Sequence, residues 1–519
     1  MFCSQLRSTV VALSVAWLLG ACQSQPSTNT QSSATALTRI IPKQQVLDDL
    51  TLFQRIKESA HAGIYKYRTK AQMDSAFAAV RAQVTDQMTV LDMYKLVMSV
   101  TDFEGSLHNN AFLPDTVRNM MHAEPVFFPY PVKLISGKMV LNSTQAPIPL
   151  GATISSVNGI PALQLVRELG KYYTTDGLNT TGKTVGLAAS FPEYYRLEYG
   201  PATEFAVCYT VPTSSDTLTQ TLPAVAYRAY VEDFQARHSK PSDHGFFAPA
   251  KQQYTFRLLP HQPTAVLTLN TFTIGDDSTV GHKKYKAFLD SCFLLLRRSP
   301  AVINLLVDVR ANGGGDDDND MVAFSYLASV PFRENKASTV SFTRVPCHQY
   351  LSFEKDTTER ADLVQEIEQE LRTDFNLGTD GKLHENAKVN PVFQPKQHRF
   401  RGNLYLLISP RIASAGSMFA AMVRGNTNAV VIGEETMGGY YGHTGHTPVE
   451  YRLPNSGIQI SFSIVDLVQD VPIKAVQPPG RGVMPDYPVT QSVADFLANH
   501  DTQMEFALQL IVDKTSGTK

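Results

Sequence analysis

The sequence is short of several features that would point to a particular class of protein. Of its 519 residues only five are cysteine and one is tryptophan, and 46 basic residues nearly balance 48 acidic ones, for a formal net charge of −2. Without a surplus of positive charge there is no basis for predicting nucleic-acid binding. Hydrophobic residues make up 43% of the chain, too many for a disordered protein. At about 100 to 200 residues per domain, the length predicts two to four domains.

The cysteines are too few and too scattered to define a fold. Cys208, Cys292 and Cys347 follow the first 22 residues, and they show neither the spacing of a disulfide-rich domain nor a Cys-x-x-Cys metal motif. One pair could form a disulfide, but we expect buried thiols. His443 and His446 are three residues apart, yet no third ligand lies at a suitable spacing for zinc. We therefore expect neither a metal nor a cofactor.

Long apolar runs are also absent, except at the N-terminus. Arg7 is followed by an apolar stretch from 10 to 19, which is the layout of a secretory signal and is too short for a transmembrane helix. The signal, residues 1–21, ends just before Cys22 in Leu-Gly-Ala-Cys, which resembles the lipobox of bacterial lipoproteins. The resemblance implies cleavage before Cys22 and acylation of that cysteine. The alternative is an ordinary signal peptide followed by a chance cysteine.

The segment after the lipobox predicts the location of the protein. Residues 22–40 are rich in Ser, Thr and Gln, a composition typical of a flexible tether. Gln23, directly after the lipidated position, resembles a signal for sorting to the outer membrane. We therefore expect a protein of the bacterial cell envelope that is attached to the outer membrane only through its N-terminal lipid and faces the periplasm.

Two regions of different pattern follow the tether. Residues 41–122 have helical periodicity, and Thr69–Gln72 has the pattern of a helix-capping box. Residues 123–225 consist of short β-type runs separated by Gly and Pro. Within them, residues 150–159 resemble the Gly turn, strand and Asn-Gly turn of PDZ modules, with a helix predicted at 162–169. Such a module would capture an extended peptide or a protein C-terminus by strand addition.

The third region, residues 226–519, alternates between strand and helix. Apolar runs at 302–309 and 403–409 predict buried strands, and 280–298 predicts an amphipathic helix. Strands that are apolar on both faces favour a largely parallel sheet covered by helices. Residues 345–400 interrupt the pattern and are interpreted as an insertion or lid. The predicted fold is a multidomain α/β protein with a helical N-terminal region, a small β-rich PDZ-like module and an α/β core.

Two loops of this core follow buried strands and could carry chemistry. Asp308–Gly315 ends in three glycines, which leave main-chain N–H groups uncovered, as an oxyanion site requires. It lacks the third glycine of a dinucleotide fingerprint and the spacing of a calcium loop. Residues 409–419 place Ser414 among small residues at a strand-to-helix turn, where a hydroxyl can be exposed. Alone, a serine at such a turn is usually only a helix cap.

Together with two later motifs, these loops resemble the C-terminal-processing (tail-specific) serine peptidases, a family that includes the tricorn-type peptidases. Members have a D-x-R-x-N-x-G-G loop, an S-A-[SG]-x turn, a V-G-E-x-T-x-G strand end and a G-V-x-P-D-x-x-V motif. The corresponding segments here are Asp308–Gly315, Ser414–Ser417, Ile432–Gly439 and Gly482–Val489. The resemblance implies a peptidase core with an upstream PDZ-like segment.

The resemblance also implies roles for individual residues. Ser414 corresponds to the nucleophile, and the main-chain N–H of Ala415 would bind one side of the oxyanion. Gly314, together with Gly313, would supply the other donor. The competing hydroxyls, which rank below Ser414, are those of Ser409 and Ser417.

The predicted base departs from the tail-specific members, which use lysine. The aligned position here is Gly439, and residues 437–450 contain no lysine. Tricorn-type members use a histidine from the N-terminal side, and His108 occupies the place of the family's D-G-H loop. A serine hydroxyl needs a base at neutral pH, so His108 is the predicted base. His443 and His446 are its rivals.

The orienting acid is the least defined member of the site. Tricorn-type peptidases have a glutamate where this chain has Pro479. Glu435 is our predicted third catalytic residue, with Glu434 as the alternative. A serine–histidine dyad oriented by water or by the main chain is also open.

The sequence thus predicts a lipid-anchored serine endopeptidase that cleaves proteins or peptides of the cell envelope. Two other functions remain open at this point. One is a catalytically degenerate member that binds peptides or envelope proteins without cleaving them, and the other is an esterase that uses the same serine.

Overall fold

A computed structural model of the chain describes residues 34–238, 252–316, 318–352 and 357–517. The predicted signal peptide, 1–21, and the predicted lipidation site, Cys22, lie outside these residues. Of the predicted tether, the described part includes a short helix, α1 (Ala34–Thr38). Within the described ranges no helix combines the length and the apolar character needed to cross a bilayer.

The N-terminal region is helical, as its periodicity predicted. It contains α2 (Lys43–Ala60), α3 (Lys70–Ala82) and α4 (Val90–Glu104). The capping box predicted at Thr69 is confirmed, because its side chain accepts from Gln72 N while the Gln72 side chain accepts from Thr69 N. Helix α4 ends at Gly105, whose φ of +82° turns the chain into the loop that holds His108.

Residues 110–238 contain the predicted β-rich segment. Its sheet has the order β2-β3-β4-β6-β7, with β5 paired to β4, and all of its pairs are antiparallel. The helix predicted at 162–169 is confirmed as α6. The elements are β1 (Asn110–Phe112), α5 (Asp115–Ala123), β2 (Val132–Ile135), β3 (Lys138–Leu141), β4 (Thr153–Val157), β5 (Ile160–Pro161), α6 (Ala162–Leu169), α7 (Thr181–Tyr199), β6 (Glu204–Thr210), β7 (Leu218–Pro223) and α8 (Tyr227–His238).

Helix α7 is an element that the sequence pattern did not predict. It contains Gly182, Gly186 and Pro192, residues that usually break a helix. The helix is kinked at Ser190, where φ is −134°, two residues before Pro192, and Gly186 lies where any side chain would collide with the ring of Tyr173. Gly186 is therefore required by close packing, whereas in the sequence alone a glycine at this position suggests a turn.

The largely parallel sheet predicted for the core is confirmed. Its order is β18-β15-β14-β10-β9-β8, and only β8 runs antiparallel to its neighbour. Its elements are β8 (Tyr254–Leu258), β9 (Thr264–Leu269), α9 (Val280–Arg298), β10 (Asn304–Asp308), α10 (Asn319–Ser325), β14 (Asn403–Ile408), α12 (Ala415–Asn426), β15 (Val430–Gly433), β18 (Tyr487–Pro488), α13 (Val493–Ala498) and α14 (Thr502–Gly517).

Apolar side chains alternate between the two faces of this sheet. On β10, Leu305 and Val307 join the cluster under α9, α10 and α12, whereas Leu306 joins the cluster under α14. Both faces are therefore buried, and the carboxyl ends of β10 and β14 meet at one edge. The loops that follow these two strands begin at Val309 and Ser409.

A third, antiparallel sheet contains strands from both the N-terminal and the C-terminal halves of the chain. Its order is β1-β17-β11-β13-β12, with β16 on β17. It contains β11 (Asn335–Val340), β12 (Phe375–Leu377), β13 (Leu383–Glu385), β16 (Thr444–Arg452) and β17 (Gln459–Gln469). The segment predicted as an insertion or lid, 345–400, also holds α11 (Thr357–Asp374), and it contributes β12 and β13 to this sheet. Because β1 pairs with β17, the loop just before β1 is held close to the C-terminal half of the chain.

Candidate active site

Ser414 lies at the turn between β14 and α12 in an uncommon backbone conformation. Its φ is +49° and its ψ is −133°, and its side chain makes no capping hydrogen bond to the helix. The capping explanation therefore fails for this serine. A non-glycine residue in such a region costs about 1–3 kcal/mol and persists where the surrounding structure holds it, which is common at functional sites.

The Ser414 hydroxyl faces an imidazole from the other end of the chain. His108 Nε2 lies 3.2 Å from Ser414 Oγ, within hydrogen-bond distance. The two competing hydroxyls are engaged elsewhere, since Ser409 Oγ donates to the Arg310 carbonyl and Ser417 Oγ donates to the Ile412 carbonyl. Of the three candidate hydroxyls, that of Ser414 lies beside an imidazole.

The rival histidines surround His108. The ring of His443 stacks on that of His108 with centroids 5.0 Å apart. Burial, together with the nearby His446, lowers the pKa of His108 to about 4, while the main chain of Thr444 acts in the opposite direction. Burial also lowers the pKa of His443 well below its ordinary value. At neutral pH the His108 imidazole is therefore unprotonated and able to accept a proton.

The glycine loop meets the nucleophile turn closely. A Cβ placed on Gly314, whose φ is +107°, would lie 2.8 Å from Ser414 Cβ and 3.2 Å from Ala415 N. The Gly314 N–H donates to Asn312 Oδ1 at 2.9 Å, so the prediction that it is a free oxyanion donor is wrong for this arrangement. In the described residues, the N–H groups of Gly313 and Ala415 have no acceptor.

Buried polar groups fix the conformation of the glycine loop. Asn312 is fully buried, and its amide also donates to the Leu269 carbonyl at 3.1 Å. At the base of the loop, the Arg310 guanidinium binds Asp308 at 2.8 Å and Asp501 at 2.6 Å. These contacts explain the Asp, Arg and Asn of the D-x-R-x-N motif, because each holds the shape of the loop without reaching Ser414.

Glu435 does not orient His108, which corrects our prediction of the third catalytic residue. Its carboxylate accepts from Arg481 Nε and from Gly482 N, each at 2.8 Å, and so joins two of the family motifs. The alternative, Glu434, lines a cavity of about 90 Å³ near Lys133 and accepts from Gln503. Across the described ranges, His108 Nδ1 is buried with no side-chain partner.

A buried ionic cluster supports the helix that precedes His108. Glu104, at the end of α4, binds Lys57 Nζ at 3.0 Å and His61 Nδ1 at 2.5 Å, and all three side chains are at most 3% exposed. Burial raises the pKa of Glu104, but the charges of Lys57 and His61 outweigh it and lower that pKa to about 2. Sequence reasoning missed this cluster, because Lys57 and His61 lie at the end of α2 and Glu104 lies at the end of α4, far away in the sequence.

A second buried acidic side chain, also missed by sequence reasoning, lies between the loop of His108 and the segment that follows β15. Asp176 is 1% exposed and follows a short 3-10 helix (Gly170–Tyr172). Its two carboxylate oxygens accept from Leu107 N at 3.0 Å and from Gly439 N at 2.9 Å. No local motif marks this aspartate, since both of its partners are main-chain groups far away in the sequence.

The remaining sequence-level expectations concern metals and thiols. Among the described residues, no group of three or more His, Cys, Asp and Glu side chains is arranged to hold a metal ion. Cys208, Cys292 and Cys347 are free thiols; Cys292 is buried and the other two are half-buried.

Comparisons with known proteins bear on the family and the fold. The model of peptidase family S41 matches residues 263–489, a range that includes all four motifs, and confirms the predicted resemblance. The structure of mature CPAF complexed with lactacystin is similar, with a TM-score of 0.60 and 12% identity, over 90% of this chain and 98% of that chain. A point mutant of CPAF has a TM-score of 0.56 and 12% identity, over 88% and 95%.

A third solved structure, a putative peptidase from Parabacteroides merdae, has a TM-score of 0.43 and 12% identity, over 91% of this chain and 96% of that chain. At these identities, the similarity to CPAF shows a shared fold. A comparison with curated protein sequences finds no match.

Proposed function

We propose that this S41-type serine peptidase cleaves internal peptide bonds with Ser414 as nucleophile and His108 as general base. The observation that carries the proposal is the 3.2 Å distance between His108 Nε2 and Ser414 Oγ, which joins residues 306 positions apart in the chain. Such a contact between an activated hydroxyl and an imidazole is the signature of nucleophilic catalysis. The positive φ of Ser414 supports it, because a non-glycine residue in a sparsely populated backbone region is held there by the surrounding structure, which is common at functional sites.

In the proposed mechanism, His108 Nε2 takes the proton of Ser414 Oγ as the oxygen bonds to the substrate carbonyl carbon. The carbonyl oxygen becomes an oxyanion, which the N–H groups of Ala415 and Gly313 would bind. His108 then gives its proton to the leaving amine, and an acyl-enzyme remains on Ser414. Water, deprotonated by His108, releases the acid and restores the serine.

The oxyanion donors follow from which N–H groups are unoccupied. Ala415 N is the first amide of α12 and Gly313 N lies in the glycine loop, whereas Gly314 N is held by Asn312. Gly314 instead contributes the absence of a side chain, which lets the loop approach Ser414. Loss of one oxyanion donor typically lowers turnover by about 10²–10³-fold.

The catalytic proposal is tested with a fluorophosphonate probe, which acylates an activated serine. We expect the wild-type chain to be labelled, mass spectrometry to place the label on Ser414, and Ser414→Ala to be unlabelled. His108→Ala is expected to lower peptide hydrolysis by about 10²–10⁴-fold, the usual contribution of a general base. Ser417→Ala is the matched control and should keep the label.

The outcomes separate the possible functions. A wild-type chain that binds peptides but takes no label would favour a degenerate, non-cleaving protein. Ester turnover without peptide cleavage would favour an esterase. Full activity in His108→Ala would move the role of base to His443 or His446.

We also infer a location and a class of substrate. The lipobox-like sequence ending at Cys22 supports anchoring through an N-terminal lipid, and Gln23 supports the outer membrane facing the periplasm. Proteins or peptides of the envelope are then the accessible substrates. The antiparallel sheet β2-β3-β4-β6-β7 offers edge strands to an extended peptide, in support of the proposed PDZ-like role. Metabolic labelling with a fatty acid should be lost in Cys22→Ala.

A further inference from the structure

The loop that contains Asp176 lies between the base and the nucleophile. Besides the two bonds of its carboxylate, the Asp176 main-chain N–H donates to the Met437 carbonyl at 3.4 Å, and Gly177 N donates to the Gly105 carbonyl at 2.7 Å. Thr174 Oγ1 donates to the Asn109 carbonyl at 2.8 Å. This loop thus binds both the segment that holds His108 and the segment that follows β15.

The carboxylate of Asp176 connects the two catalytic residues through very few bonds. On one side it accepts from the N–H of Leu107, the residue next to His108. On the other side it accepts from Gly439 N, and the neighbouring Gly438 donates to the Ile412 carbonyl at 3.2 Å, two residues before Ser414. We call the pair of bonds from Leu107 and Gly439 to this carboxylate the Asp176 bridge.

We propose that Asp176 is a positioning residue for the peptidase reaction, and that its carboxylate holds the His108 loop at the correct distance from Ser414. The inference rests on the proposed roles of His108 and Ser414. Asp176 touches neither the hydroxyl nor the imidazole, and it acts through the main chain on either side. A reacting pair must be held within a fraction of an ångström, so the bridge bears directly on turnover.

Only the ionised carboxylate can accept two N–H groups without offering a competing donor. The titratable side chains that interact with this carboxylate are Lys66 and Tyr67, in the loop after α2. The loops of Leu107 and Gly439 face it with main-chain N–H groups only. Burial raises the pKa of Asp176 to about 7, against the opposing effect of the two N–H bonds and of Lys66. Protonation near neutrality would therefore weaken the bridge.

The test compares wild type with Asp176→Asn in the full chain. The amide can accept from one N–H but presents its own donors to the other, so we expect kcat for a peptide substrate to fall by about tenfold or more, with KM changed less than twofold. In the wild type, kcat/KM should rise with pH through about 7, and this inflection should disappear in Asp176→Asn. The proton on His108, with its pKa of about 4, titrates well below this range.

Asp49→Asn is the matched control. Asp49 is also fully buried and accepts from main-chain N–H groups, those of Asn455 at 3.2 Å and Ser456 at 2.8 Å, but it joins α2 to the turn between β16 and β17. The Asp49→Asn variant should be less thermally stable than the wild type, but it should keep the wild-type kcat and the inflection of kcat/KM near pH 7. Equal losses of kcat in the two variants would reduce Asp176 to a structural role and overturn the proposal.

A readout independent of activity is amide hydrogen exchange at Leu107 and Gly439. Protection of these two amides should be lower in Asp176→Asn than in the wild type. In the wild type, protection should decrease as the pH is lowered from 8 to 6, after correction for the intrinsic pH dependence of exchange. Unchanged protection overturns the bridge, whatever the activity, and the wild-type measurement holds even if the variant fails to fold. Exchange that behaves as expected in a chain that the serine probe does not label would instead overturn the proposed function.

Discussion

Ser414 and Gly314 illustrate how closely two loops must approach for this chemistry. The loop after β10 comes so near the turn after β14 that a methyl group on Gly314 would overlap Ser414 Cβ, at 2.8 Å, and would lie 3.1 Å from the Ala413 carbonyl oxygen. The same glycine has a φ of +107°, which other residues rarely adopt. Two independent reasons therefore require glycine at this position: there is no room for a Cβ, and the backbone conformation is unfavourable for other residues.

We predict that Gly314→Ala lowers kcat/KM by about 10²-fold or more, the scale of a disturbed oxyanion site. The added methyl group must push Ser414 or the loop aside. The melting temperature should fall as well, because the strained conformation costs about 1–3 kcal/mol. Steady-state peptide hydrolysis and thermal unfolding measure the two effects.

Gly313→Ala is the neighbouring comparison. A Cβ at Gly313 meets no atom within 4 Å, and the substitution keeps the N–H group. Its loss should be much smaller than that of Gly314→Ala. Equal losses would mean that the loop needs general flexibility rather than close approach at one residue.

The proposed catalytic residues were easier to predict than the residues that hold them in place. Ser414 and His108 stand in local motifs, so the sequence indicated both, and the structure places them in contact. Glu435 also stands in a motif, yet its carboxylate serves Arg481 and Gly482. Asp176 has no local signal at all, because its partners are main-chain amides that only the tertiary fold brings near.

At the scale of elements, the position of His108 depends on where α4 ends. Its capping box at Thr89 begins the helix, and Gly105 ends it in the left-handed conformation, with φ +82°. A Cβ at Gly105 would lie 2.7 Å from the Gly177 carbonyl oxygen, in the loop of Asp176. The end of one helix and the bridging loop are therefore fitted to each other.

We predict that Gly105→Ala separates the His108 loop from the Asp176 loop and lowers kcat by at least tenfold. A left-handed alanine alone costs about 1–2 kcal/mol. Gly137→Ala bears that same conformational cost, since its φ is +75°, but a Cβ there meets nothing within 4 Å. It should lose comparable thermal stability and keep its kcat. Loss of kcat in both variants would show that stability alone controls activity.

Element types were predictable where the pattern was strong and local. The strands β10 and β14 follow from continuous apolar runs, the helix α9 follows from hydrophobic periodicity, and the parallel core sheet follows from both. Helix α7 was missed because its glycines and its proline resemble turn signals, although Gly182 and Gly186 lie where a side chain would collide with its neighbours. The short strand β1 was missed because three residues carry no period, and only its pairing with β17 defines it.

Across the whole molecule, burial raises the pKa of some acids and lowers the pKa of some histidines. Burial raises the pKa of Asp176 and of Glu434 to about 7. Burial lowers the pKa of His108 to about 4 and also lowers that of His61. Each shift ties folding stability to pH, because the folded and unfolded chains then bind different numbers of protons.

For Asp176 the folded pKa, about 7, lies above the ordinary value of 3.8. Its contribution to stability is therefore fully present below pH 3.8 and is lost as pH rises to about 7, since the folded state alone keeps the proton in that window. We predict that the stability of wild type relative to Asp176→Asn is greater at pH 5 than at pH 8. Urea unfolding at both values, at constant ionic strength, measures it, and a difference independent of pH would contradict it.

The contact between His108 and Ser414 spans 306 positions, so neither half of the chain holds a complete reaction centre. A growing chain that has passed residue 108 has no nucleophile, and one that has made residue 414 still lacks the strand β17 that holds β1 in place. Hydrolytic power therefore arises only with the finished tertiary structure. During synthesis, the nascent polypeptide therefore has no complete site with which to cleave itself or its neighbours.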